Sequence, residues 1–200
     1  MEHYPSNTER SHLSSFTLVE LLLVMAIIAV LAGMVLGALG SARSAAKRAQ
    51  AADEINSISL ALKRYYGEYG TWPSDATGAV PASNPLSAAE LQSLYLILVG
   101  TNINMSTAAA GGNVRKINFL ESLKSSRIKT IGGYVNLVDP WGTAYQVRLD
   151  DAGDQQIPMF GGVTNVYAEY GIWSKGQDLI DNPAPTENSN KDNVTSWQLK

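Results

Sequence analysis

Phe16-Thr17-Leu18-Val19-Glu20-Leu21-Leu22-Leu23-Val24-Met25-Ala26-Ile27-Ile28-Ala29-Val30-Leu31-Ala32-Gly33-Met34-Val35-Leu36-Gly37-Ala38-Leu39-Gly40 decides how the rest of the chain is read. From Leu21 to Leu39 no side chain is polar, close to the ~20 residues a helix needs to cross the hydrocarbon of a bilayer. One acid, Glu20, stands at the entry to the run. A charged group at the centre of a membrane helix costs about 2.5–3.5 kcal/mol and less near its end, so such an acid normally has a partner and a purpose.

Two plain explanations compete. A cleavable secretory signal has a basic start, an apolar core of about 7–15 residues and a small-residue cut site. Here the core is longer, and the start sets Glu2 and Glu9 against Arg10. An ordinary signal anchor leaves the placement of an acid four residues after Phe16 unexplained. The pattern Phe-Thr-Leu-Val-Glu followed by unbroken apolar residues resembles the N-terminus of the type IV pilin-like family, which includes type IV pilins and the pseudopilins of type II secretion. The resemblance implies a leader at residues 1–15, cut by a prepilin peptidase between Ser15 and Phe16, and N-methylation of the new amine. Ser15 stands where the family usually has Gly. It further implies that Phe16 and Glu20 of neighbouring subunits meet during assembly.

Composition narrows the chemistry. The chain has 200 residues, 45% of them hydrophobic, and no cysteine: one modest globular domain beside the apolar helix, with no disulfide or thiolate chemistry. Both histidines, His3 and His12, precede Phe16. Cleavage there leaves no His or Cys, which excludes Ser-His-Asp and Cys-His catalysis and the usual zinc ligands. Fifteen basic residues fall to fourteen and eighteen acidic ones to sixteen, so the charge is near neutral and a general role with nucleic acid is not expected. Carboxylate pairs of the glycosidase kind remain conceivable, but most acids fall in turns and the tail. Arg43, Lys47 and Arg48 follow the apolar run; by the positive-inside rule alone they place the C-terminal part in the cytoplasm, whereas the resemblance places it in the periplasm, anchored by a single inner-membrane pass.

Beyond Gly40 the sequence stays helix-compatible. Ile55, Ile58, Leu62, Tyr65 and Tyr69 recur at three- and four-residue spacing, and Gly70 with Pro73 gives the stop. Phe16 to Tyr69 then makes one helix of about 80 Å: residues 16–40 in membrane or filament core, 41–72 packed on the domain, and 73–200 forming that domain. The Tyr-rich helix end leading into Gly70-Thr71-Trp72-Pro73 also resembles the pseudopilins. Gly33 and Gly37 form a small-xxx-small pair that permits close helix approach and equally fits ordinary membrane-helix composition. Residues 74–86 and 101–114 read as loops, and Ser87-Ala88-Ala89-Glu90 is a capping box opening a short helix to about Val99. Phe119, Leu120 and Leu123 suggest a short helix or an irregular packed segment. Strands are expected at 134–138 and 145–149, joined as a hairpin by Asp139-Pro140-Trp141-Gly142, and at 166–173. The expected class is α+β: a long N-terminal membrane-spanning helix packed on a small antiparallel sheet, the type IV pilin-like fold.

Two acidic stretches invite a metal. Asp150-Asp151-Ala152-Gly153-Asp154 has Gly161 at the twelfth position where an EF-hand needs Glu, and reads as a solvated turn. Ser174-Lys175-Gly176-Gln177-Asp178 with Lys191-Asp192-Asn193-Val194-Thr195-Ser196-Trp197 resembles the C-terminal calcium loop of the major pseudopilin, as Asp-Pro-Trp-Gly resembles its turn. The resemblance implies calcium ligation by Ser174, Asp178, Asp192 and Asn193, the last an amide where a second Asp is usual, which weakens affinity. Oxygen donors without a soft ligand suit Ca²⁺; a polar tail held only by Trp197 is the alternative. The partners implied are further copies in a homopolymer, other pseudopilins, the inner-membrane secretion platform and the prepilin peptidase.

Overall fold

The computed structural model describes residues 16–73, 86–101, 112–121, 125–150, 153–159, 164–181 and 190–197. The leader, the loops expected at 74–85 and 102–111, Leu123, Gly161 and the segment 182–189 lie outside them. The chain divides into two compact units, Met1–Arg43 and Ser44–Lys200.

The first unit holds the opening of helix α1, which runs Leu18–Tyr69 over 52 residues. Its start is made by Thr17: the hydroxyl accepts from the Glu20 N–H at 3.2 Å, and the Glu20 carboxylate accepts from the Thr17 N–H at 2.9 Å and hydroxyl at 2.8 Å. This is a capping box, with orphan N–H groups satisfied reciprocally. The apolar side chains from Phe16 to Met34 are exposed, and length and composition allow the segment to cross a membrane. A Cβ added at Gly33 meets nothing within 4 Å.

In the second unit α1 turns amphipathic. Ala51, Ile55, Ile58, Ala61, Leu62 and Tyr65 are buried in the main core and Tyr69 packs at its edge. Gly70 ends the helix in the left-handed region (φ 71°) and its N–H bonds to the Tyr66 carbonyl at 2.7 Å, the ending expected of a helix stop at glycine. Helix α2, Ala88–Leu98, begins with both halves of the Ser87/Glu90 box in place and buries Leu91, Leu94, Ile97 and Leu98. Residues 112–121 form no regular helix; Asn113 binds the carbonyls of Ile97 (2.8 Å) and Ile117 (2.6 Å), and this places Phe119 and Leu120 in the core.

The strands depart from the expected three. β1 (Ile128–Ile131) pairs antiparallel with β2 (Tyr134–Leu137). β3 (Gln146–Leu149) pairs with β6 (Tyr170–Ser174), which pairs with β7 (Val194–Thr195). β4 (Gln156–Met159) pairs with β5 (Thr164–Tyr167). The segment expected as one strand at 166–173 is therefore two, parted at Ala168-Glu169, where the Ala168 N–H bonds to the Gln155 carbonyl. The hairpin expected between 134–138 and 145–149 closes only one bridge, Val138 with Ala144. The turn is present, but β2 and β3 find other partners: β2 the missed strand β1, β3 the strand β6. Val147, Leu149, Ile172 and Val194 face the helix core; Trp173 and Ile157 form a second cluster with Trp197 at its edge.

Candidate functional site

At the N-terminal end, Ser15 lies outside the described residues and Phe16 is 70% exposed, two residues before the helix. Glu20, expected to await a neighbouring amine, is engaged with Thr17 of its own helix. One capping carboxylate is thus held without a second chain.

At the C-terminal end, a set of carboxylates ties three segments together. Asp139 is fully buried. Its Oδ1 accepts from the backbone N–H groups of Trp141 (3.0 Å), Gly142 (2.8 Å) and Thr143 (2.9 Å). Its Oδ2 accepts from the hydroxyls of Thr143 (2.7 Å) and Ser174 (2.6 Å). Asp139 forms no ion pair among the described residues; a buried carboxylate so placed is stable only when hydrogen bonds replace its water, and here five do. Ser174 Oγ in turn accepts from the Gly176 N–H at 3.1 Å. Asp192 Oδ2 accepts from the N–H groups of Gln177 (2.5 Å) and Asp178 (3.0 Å). Gly176 has φ 70°, and a Cβ there would lie 2.5 Å from the Asp192 carbonyl oxygen, so backbone meets backbone. The turn at 139–142 and the tail pieces 174–178 and 192–193 therefore meet, 35 residues apart in sequence across the Asp139–Ser174 bond.

The four expected metal residues divide. The Ser174 hydroxyl is spent between Asp139 and Gly176. Asp178 is exposed and its Oδ1 accepts from the Ile180 N–H at 2.9 Å. Asp192 closes the loop. Asn193 is buried, its amide donates to Asn190 Oδ1 at 3.3 Å, and its own Oδ1 meets no donor among the described residues. A buried oxygen without a donor is what a hard cation accepts, so Asp178, Asp192 and Asn193 fit calcium in kind. Among the described residues no three acids, histidines or cysteines gather. At the other acidic stretch, Asp150 is buried rather than solvated. It accepts from the Gly153 and Gln155 N–H groups, both at 2.8 Å, which makes it a turn former.

Two further acids escaped the sequence reading. Asp181 Oδ2 accepts from Trp173 Nε1 at 2.9 Å, while its Oδ1 is buried without a donor among the described residues. Desolvation raises its pKa, against smaller opposing effects of the Trp173 bond and the Lys175 charge. Glu54 is buried in α1, ion-paired to Arg127 Nε at 2.8 Å and accepting from the Tyr145 hydroxyl at 2.6 Å and from Gln50 at 3.0 Å. Desolvation and the Glu54 bond push the Tyr145 phenol far up. An acid at a core-facing position four residues from Ile58 was legible as an anomaly in the helix stripe; Asp181, inside a polar tail, carried no such signal.

One polar surface cleft is lined by Lys63, Ala168, Glu169, Tyr170, Ser196 and Trp197, with Glu169 the single carboxylate among the described residues that line it. Residues 11–36 match the family described as the prokaryotic N-terminal methylation motif. No curated protein and no solved structure matches the chain. The match spans the junction of Ser15 with Phe16, the acid Glu20 and most of the apolar run, so the chain carries the N-terminal signature of membrane-anchored, type IV pilin-like subunits.

Proposed function

We propose that the protein is a pseudopilin of a type II secretion system, of the major kind, with its globular unit in the periplasm. Cut before Phe16 and N-methylated, it polymerises from the inner membrane into a short filament that drives folded proteins outward. The methylation motif supports a polymerising subunit; the observation that favours secretion is the Asp139–Ser174 bond. It joins the Asp-Pro-Trp-Gly turn to the Ser-x-Gly-x-Asp loop, the two motifs that resemble the major pseudopilin. Assembly is the whole mechanism. Glu20 supplies a negative charge near the membrane surface, and the Phe16 amine of a staggered neighbour supplies the positive one. Their desolvation offsets much of the attraction, so the pair fixes register more than it adds stability.

The tail loop takes calcium in this reading, held by Asp178, Asp192 and Asn193, with Ser174 positioning the loop. The ion would supply charge that cross-links the two tail pieces. With an amide in place of one carboxylate the affinity is lower than that of a three-acid site.

The test of processing is mass spectrometry of the mature N-terminus from native membranes. N-methyl-Phe16 is expected; an intact Met1 or a terminus beyond Gly40 refutes the reading. Deleting the gene should abolish appearance of exported proteins in the medium. Loss of surface pili, motility or DNA uptake with export intact would assign the subunit to a type IV pilus instead.

A further inference from the structure

The polar cleft opens where three segments of the second compact unit meet. Helix α1 contributes Lys63, the passage from β5 into β6 contributes Ala168, Glu169 and Tyr170, and the chain leaving β7 contributes Ser196 and Trp197. It lies where the β6–β7 ladder gives out. The strand pairs are Trp173 with Thr195 and Ser174 with Val194. Beyond them the Ser196 N–H still reaches the Ile172 carbonyl at 2.8 Å, but the Ile172 N–H donates to the Ser196 hydroxyl oxygen at 3.1 Å. Ser196 is thus held by its backbone and its oxygen, and its own hydroxyl hydrogen has no acceptor among the described residues. Trp197 leaves the sheet, with its ring centre 6.1 Å from that of Trp173. Lys63 and Glu169 are both exposed and form no ion pair among the described residues. Lys63 Nζ lies 5.8 Å from the centre of the Tyr170 ring, a cation–π contact that restrains the ammonium.

We propose that this cleft binds one ring of a neutral saccharide against the Trp197 and Tyr170 side chains. A ligand of single charge is attracted by one of Lys63 and Glu169 and repelled by the other. A polyol accepts from the ammonium, donates to the carboxylate and meets the Ser196 hydroxyl in either sense. The C–H surface of a sugar ring replaces water on the two aromatic side chains, which give large, rigid contact at little entropic cost. Size agrees: the cleft holds about 230 Å³, below the ~300–1,000 Å³ of pockets for drug-sized ligands, and so has room for a single ring. The aromatic surface continues from Tyr170 to Trp72, ring centres 5.8 Å apart, and on to the exposed Tyr66 at 4.5 Å from Trp72, where a second ring of a chain can rest. The site belongs to the globular unit alone and stands apart from the secretion and calcium readings.

The experiment titrates cellotriose into the purified full chain in a polyoxyethylene detergent, which carries neither sugar nor charge, and follows the tryptophan indole N–H resonances by NMR. The Trp197 resonance, assigned by its loss in W197F, should shift with a millimolar Kd while that of Trp141 stays in place. The Kd should be indifferent to added salt, because the ligand is neutral. K63Q and E169Q change exposed side chains and should each weaken binding by about three- to tenfold. W197A should weaken it by about tenfold; the two surface variants decide the matter if W197A loosens the tail. Y134A, which removes an exposed aromatic from another sheet, should leave the Kd unchanged. No shift of Trp197 with cellotriose overturns the proposal, as does an unchanged Kd in both K63Q and E169Q. So does binding of the zwitterion glycyl-phenylalanine without binding of cellotriose, which would mark a site for paired charges.

Discussion

Asp139 offers the sharpest test of how the C-terminal part is held. Asp139→Ala removes an acceptor that serves three backbone N–H groups and two hydroxyls in a fully buried place. The hydroxyls can turn to other acceptors, but the N–H groups of Trp141, Gly142 and Thr143 are fixed by the turn. Leaving a buried donor unpaired costs about 1–3 kcal/mol. Because water reaches the half-buried turn, a total of about 3–5 kcal/mol is expected rather than three full penalties. Asp139→Asn has the same shape and keeps one carbonyl oxygen for the three N–H groups. Its amide faces hydroxyls that can accept, so it should cost about 1–2 kcal/mol. At about 2–4 °C per kcal/mol for a unit of this size, thermal unfolding of the full chain in mild detergent should separate the two variants clearly. Tryptophan fluorescence is the natural readout, because Trp141 and Trp173 flank the bond. The Ala variant should also expose the tail to protease at temperatures where the Asn variant is resistant. If Asn is as damaging as Ala, charge rather than hydrogen-bond geometry governs the site. If Ala costs under about 1 kcal/mol, the hub is incidental and the reasoning fails.

Other expectations follow from individual contacts. Glu20→Gln keeps an oxygen for the Thr17 N–H and so should insert, form its helix and be processed normally, yet fail to assemble; normal filaments from this variant would make Glu20 a tolerated membrane acid. Asp181 has a raised folded pKa, so the native state holds its proton more tightly than the unfolded chain and stability falls as pH rises from about 4. Asp181→Asn, which can still accept from Trp173, should remove that fall and raise the melting temperature at neutral pH; an unchanged pH profile would refute it. Gly176→Ala forces a Cβ against the Asp192 backbone at positive φ and should loosen the tail, seen as faster proteolysis with the helix signal intact. Calcium at a hundredfold excess over its Kd should stabilise the full chain by about 2.7 kcal/mol, an increment lost in Asp178→Ala and Asp192→Ala; identical melting in calcium and in chelator would remove the ion from the account.

What was legible in the sequence was what short-range periodicity encodes. The helix stripe of Ile55, Ile58, Leu62 and Tyr65, the Ser87 box and the stop at Gly70 each need only neighbours within a turn or two. Pairing of strands is non-local, and there the reading slipped. Ile128–Ile131 is half-buried at its two ends and exposed at both central residues, so it carries no period-two alternation to mark it as a strand, and a turn as well formed as Asp139–Gly142 suggested a ladder that ends after one bridge. The same non-locality hid the role of Asp139: its turn was visible, but its grip on Ser174 depends on the path of β6. Thr17 was missed for a different reason. An acid at the mouth of an apolar run draws attention to charge, while Thr-x-x-Glu also states how a helix begins.

That capping box has a consequence for recognition. With the Thr17 N–H and hydroxyl both fastened to Glu20, a chain cut before Phe16 would present its amine on a tether barely one residue long. Fixing the backbone of a residue costs about 1–2 kcal/mol, so a partner that captures this terminus immobilises almost nothing that was free. The end behaves like a rigid plug. Its aim is set by the helix before any partner arrives, and a single residue inserted between Phe16 and Thr17 would turn the plug into a loose thread.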